Sequence, residues 1–110
     1  MATNQRQIGA AWKKGEPRIE GAVSTDGTVV RSYHKVIGCT LRKGDETKRI
    51  VFDWRGPNNG ISVTTSRHVS GAAMFADAVI PPTRGSLDVF LNDGWIVVGD
   101  VGASVREDLR

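Results

Sequence analysis

The sequence predicts an α+β fold, mostly antiparallel β: a small twisted sheet or open barrel of about seven strands with one covering helix over about residues 66–79. Three observations lead there. Short runs of alternating apolar and polar residues recur between tight-turn signals, one segment alone carries apolar residues at helical spacing, and the connections are short enough to join antiparallel neighbours.

Taken in order, "QIGAAWKK" at 7–14 puts Ile8, Ala10 and Trp12 on one side and predicts a first strand. "RIEGAVS" and "TVVRSYHKVIGCTLR" are strands joined by "TDGT", whose Asp26-Gly27 pair signals a hairpin turn because Gly accepts positive φ. In the second run Ile37, Cys39 and Leu41 form a core face, with Tyr33 in the same register. "KGDETK" at 43–48 is a polar turn. "RIVFDWR" at 49–55 is the cleanest strand, with Ile50, Phe52 and Trp54 inward and Arg49, Val51, Asp53 and Arg55 on a mostly wet side. "GPNNG" turns the chain, and "ISVTT" extends it up to the helix, for which Ser66 or Thr65 is the expected N-cap. Along that helix Val69, Ala72, Ala73, Ala76 and Val79 recur at helical spacing, and Pro81-Pro82 end it. "SLDVFL", the turn "NDG" and "WIVVGDV" read as a closing hairpin. The expected core is Ile37, Leu41, Ile50, Phe52, Trp54, Val69, Ala73 and Trp95.

At 110 residues the chain is expected to be one domain, 1–110, with residues 1–6 and 103–110 frayed. No apolar run approaches the roughly 20 residues that span a bilayer, and "MATNQRQ" lacks the apolar stretch of a secretion signal, so the expectation is a cytoplasmic protein with no membrane partner. The one cysteine, Cys39, sits in a strand pattern and reads as a buried thiol. Residues 1–60 hold eleven Lys and Arg against six Asp and Glu, and residues 61–110 hold four against six. The front half is therefore basic. If it met nucleic acid, the contact residues would be Arg31, Lys35, Arg42, Lys43, Lys48, Arg49 and Arg55, with Trp12 or Tyr33 as a stacking surface.

Several chemistries have no support. His34, His68 and Cys39 are too few and too scattered for a structural metal site, phosphate-loop and dinucleotide glycine patterns are absent, and no cofactor is expected. Asp45-Glu46 and Glu107-Asp108 fall in a turn and a tail, where solvation explains them better than acid-base work. The unusual stretch is "TTSRH". Ser66 and His68 are poorly spaced for proton transfer, so no catalytic residue is assigned. Basic residues in a first helical turn oppose the helix dipole, and an anion held by Thr64, Thr65, Ser66, Arg67 and His68 would repair that mismatch. The plainer reading is a helix cap.

"SY" at 32–33, the apolar strand after it, and "SVTTSRH" at 62–68 resemble an uncharacterised family of small phage and plasmid proteins marked by Ser-Tyr and then Tyr-Ser-x-Thr-Thr-Ser-Lys/Arg-His. The resemblance spans about residues 31–72. Ile61 stands where that family tends to have an aromatic, and Lys35 where a Thr is common. "IGAAWKK" at 8–14 is similar to the opening strand of other short phage and mobile-element proteins. The resemblance implies a mobile-element origin and supplies no activity. Three functions are therefore carried forward: a small non-enzymatic binding module acting on a host protein or nucleic acid; a structural or assembly protein, hence a homo-oligomer, associating through sheet edges; and an enzyme or ligand binder using the 64–68 turn.

Overall fold

A computed structural model describes residues 3–55, 63–99 and 102–110. The chain runs α1 (Thr3–Lys14), β1 (Arg18–Glu20), β2 (Val23–Thr25), β3 (Val30–Ser32), β4 (Lys35–Lys43), β5 (Glu46–Phe52), α2 (Val63–Ala73), β6 (Ala78–Ile80), α3 (Arg84–Asn92), β7 (Ile96–Val97) and α4 (Gly102–Asp108). The fold is α+β, with a seven-stranded, mostly antiparallel open sheet. Strands β1 to β6 lie side by side in chain order and β7 joins β4; among the described residues only the β5–β6 pair is parallel, and α2 makes the crossover it requires.

Three of the four helices among the described residues replace expected strand or tail. In α1, Ile8, Ala11 and Trp12 are buried, a spacing of three and four residues. Ile8 and Trp12 fit a strand's alternation equally well, since four residues is an even step, and Ala11 is what separates the two. The helix ends where Gly15, at φ 74, donates to the Trp12 carbonyl while Glu16 donates to that of Ala11, a Schellman cap. "SLDVFL" is likewise helix: Thr83 caps α3 by accepting from Ser86 N at 3.2 Å, and Leu87, Phe90 and Leu91 turn inward while Val89 is exposed. The tail does not fray from residue 103. Val105 and Leu109 join the core, Val36 N donates to Asp108 Oδ2, and Arg84 N donates to the Arg110 carbonyl.

Two expected strands are each broken by a turn. Gly21-Ala22 divides β1 from β2, and Tyr33-His34 divides β3 from β4 as a two-residue hairpin loop. Tyr33 is therefore lifted out of the core face it was expected to join. The Asp26-Gly27 turn stands between β2 and β3 as expected, with Asp26 Oδ1 accepting from Thr28 N, Thr28 Oγ1 and Val29 N. Burial works against ionisation of Asp26, but the Val29 and Thr28 donors outweigh it and hold its carboxyl below the usual range. The α2 helix spans Val63–Ala73 rather than 66–79, and Val79 belongs to β6. From Val63 onward "ISVTT" is helix, and its first two residues lie outside the described ones, as do Asp100 and Val101 of "WIVVGDV".

Every residue of β4 from Val36 to Leu41 is buried, which requires cover on both faces of the sheet. On one face α1 lays Trp12 against Gly38 and Thr40. On the other, Lys48, paired with Leu41, lies against Phe90 of α3 and Trp95. Of the expected core, Ile37, Leu41, Ile50, Phe52, Trp54, Val69 and Trp95 are buried, and Ala73 packs against them half-buried. Cys39 is buried among them, which pushes its thiol up to about 12 and leaves it unreactive at neutral pH.

Candidate functional site

The fold brings the two distinctive stretches together. Ser32, at the end of β3, places Oγ 2.6 Å from Nδ1 of His68 and 3.1 Å from Oγ1 of Thr65, both on α2. Thr65 and His68 are three residues apart on a helix and so share one face, the face turned to the sheet. One hydroxyl proton cannot serve both neighbours. With Nδ1 unprotonated, Ser32 donates to His68 and Thr65 donates to Ser32; with Nδ1 protonated, His68 donates to Ser32, which donates to Thr65. Either order satisfies the trio.

Tyr33 caps this cluster from outside. Its ring lies 6.3 Å from that of His68, tilted by 48°, and its N–H donates to the Ala22 carbonyl. It is the one non-glycine residue with positive φ among those described, at 56°, yet its side chain is 56% exposed. An exposed aromatic in a left-handed conformation costs about 1–2 kcal/mol relative to a relaxed backbone. The Ser32 network and the two-residue turn hold it there.

A serine and an imidazole at 2.6 Å have the geometry of a nucleophile and its base. Ser32 is only 1% exposed, however, so a substrate atom does not reach Oγ in this arrangement. His68 is 5% exposed, and burial lowers its pKa, favouring the neutral ring. The sign of the consequence is fixed: the unfolded imidazole takes up its proton near pH 6.5 while the folded one still resists it, so stability is full above that value and falls as pH drops through and below it. His68→Asn should flatten the fall in urea midpoint between about pH 7.5 and 5. An undiminished fall in the variant would remove His68 as its source.

Of the five expected anion ligands, then, Thr65 and His68 point into the fold, Ser66 is half-buried, and Thr64 and Arg67 are exposed. They do not converge on one point. Ser66 is not the cap either, because α2 begins three residues earlier, at Val63. Sequence reasoning missed Ser32 as the partner of His68; the available signal was that both stretches carry the resemblance described above.

The seven basic candidates divide. Lys35 Nζ stands 3.8 Å over the Trp54 ring, and Arg55 pairs with Asp53 at 2.7 Å. The Arg55 hydrogen bond outweighs the burial of Asp53 and holds that carboxyl low. At the far end of the same hairpin, Arg42 is exposed, Lys43 pairs with Asp93 at 3.4 Å, and Lys48 lies over Phe90 and Trp95. Eight residues of β4 separate Lys35 from Lys43, roughly 25 Å. Arg49 faces the other way, donating to the carbonyls of Lys13 and Trp12 at the end of α1. Arg31 is half-buried in β3 and helps hold Asp26 ionised. Trp12 is fully buried by α1 and has no face left for stacking.

Among the described residues no three His, Cys, Asp or Glu side chains cluster to hold a metal ion, and no helix is long and apolar enough to cross a membrane. No family model, curated protein or solved structure matches the chain.

Proposed function

We propose that this chain is a small non-enzymatic binding module of phage or mobile-element origin, and that it engages a host protein through the Tyr33 turn. The observation that carries the reading is Tyr33 itself: an exposed aromatic held in a strained backbone conformation, seated on a buried Ser32–His68–Thr65 network. Backbone strain of this kind persists where the surroundings over-determine it, and exposed rigid aromatics are the side chains that anchor protein interfaces. The origin rests on the resemblance of the Ser-Tyr and Thr-Thr-Ser-Arg-His stretches, whose residues touch in the folded chain. A protein partner is favoured over nucleic acid because the basic residues are split between two ends and two faces of the sheet, and Arg49, Arg55 and Lys43 have internal partners.

Tyr33→Gly tests this without disturbing the fold. Relief of the left-handed strain and the added chain entropy of Gly are of similar size, about 1 kcal/mol each, so stability should change little. With p-benzoylphenylalanine at position 33, photolysis in a lysate of the bacterium carrying the element should give one crosslinked protein. Excess unmodified chain should suppress the crosslink, and excess Tyr33→Gly chain should not. Equal suppression by both competitors would remove Tyr33 from the interface. A nucleic-acid adduct, with binding that falls steeply as salt rises, would replace the protein partner with nucleic acid.

A further inference from the structure

A second surface lies at the other end of the sheet. The turn after α3 and the β5 face enclose an open groove of about 450 Å³, lined by Lys48, Val89, Phe90, Asn92, Asp93 and Trp95. Its construction follows from the helix end: Asp93 and Trp95 both donate to the Phe90 carbonyl, which folds the chain back and sets Trp95 beside Phe90. Lys48, on β5, projects its ammonium over both rings, 5.1 Å from the Trp95 centroid and 5.6 Å from that of Phe90.

The charges of this groove do not balance. Its carboxylate, Asp93, is paired with Lys43, whereas Lys48 has no carboxylate partner among the described residues. The rim residue Val89 is 69% exposed although it sits on a helix whose other apolar side chains turn inward. A fixed ammonium above an aromatic floor, next to an uncovered aliphatic side chain, is complementary to an apolar group with a carboxylate one residue away. We infer that the groove docks a partner protein segment in which a leucine-like or aromatic side chain is followed by an acidic residue, the apolar group covering Val89 and Phe90 and the carboxylate meeting Lys48. Six residues of β4, roughly 20 Å, separate this groove from the Tyr33 turn, so both can be engaged at once. The chain would then join two segments, and the groove stands or falls independently of the Tyr33 reading.

Amide NMR titration of the full chain with N-acetyl-Leu-Asp-amide tests the groove directly. Shifts should cluster at Lys48, Val89, Phe90 and Asn92 to Trp95, with a dissociation constant on the order of 1–10 mM, as befits so small a probe. N-acetyl-Leu-Asn-amide, equal in shape but neutral, should bind about tenfold more weakly, and Lys48→Gln should weaken N-acetyl-Leu-Asp-amide to the same level. Val89→Asp should abolish the shifts, and Tyr33→Gly should leave them unchanged. Identical binding of the acidic and neutral probes, an unaltered titration in Lys48→Gln, or no shifts at about 20 mM probe would each overturn the inference. A thymidine dinucleotide binding the groove more tightly than the peptide would overturn it too, in favour of nucleic acid.

Discussion

Trp12→Ala should destabilise the chain by about 3–5 kcal/mol, the usual loss when a buried large aromatic is emptied. Trp12 is the largest fully buried side chain among the described residues and ties α1 to the sheet. Its indole N–H donates to Thr40 Oγ1 at 3.0 Å and to the Thr28 carbonyl at 3.1 Å, and its ring lies so close to β4 that a Cβ on Gly38 would meet it at 3.2 Å. Thr40 Oγ1 also donates to the Thr28 carbonyl, so one side chain closes a junction between α1, β4 and the loop leading into β3. Small domains have only about 5–15 kcal/mol in total, so the variant should be largely unfolded at 37 °C or close to it. Trp12→Phe separates packing from hydrogen bonding and should cost about 1–2 kcal/mol. Urea denaturation followed by circular dichroism reads both. A wild-type midpoint in Trp12→Ala would detach α1 from the core.

The same tryptophan shows what the sequence concealed. Period-two patterning found β4, β5 and the large buried residues on one face of them, because those strands are long and their inward residues large, but it left out most of the core, Val36, Val51, Leu87, Val105 and Leu109 among it. It failed at α1 and α3, where the apolar residues at even spacing also fit a helix. The decisive marks were at the ends: "KKGEP" closes a helix with basic residues, a glycine and a proline, and "PPTRGS" opens one with a capping threonine. Those marks are legible in sequence and outweigh alternation over so few residues. The candidate site was less accessible. Thr65 and His68 lie 33 and 36 residues from Ser32, and nothing local to either stretch names the other. The positive φ of Tyr33 was not legible at all, since it comes from a two-residue hairpin loop inside what reads as one continuous strand.

Val51→Asp should abolish folding, and it separates the sequence pattern from the structure more sharply than any core truncation. Alternation along β5 puts Val51 beside Arg49, Asp53 and Arg55 on the wet side, where an aspartate would cost almost nothing. In the fold Val51 is fully buried, paired with Gly38 of β4 on one side and Val79 of β6 on the other. The crossover through α2 and the packing of α1 cover that face, and Arg49 crosses its margin to reach the carbonyls ending α1. A carboxylate at position 51 would lose its hydration with no cation in place to meet it, because Arg49 would have to abandon those carbonyls first. The penalty for a buried unpaired charge is several kcal/mol, enough to exhaust the stability of a domain this size. Val51→Thr, which keeps the shape and buries one hydroxyl, should fold with a loss of about 1–3 kcal/mol and keeps the comparison measurable if the aspartate variant yields no soluble protein. A cooperative Val51→Asp variant with a wild-type urea midpoint would mean that the face carrying Val51 is open to water, and that α1 and α2 do not close over the sheet.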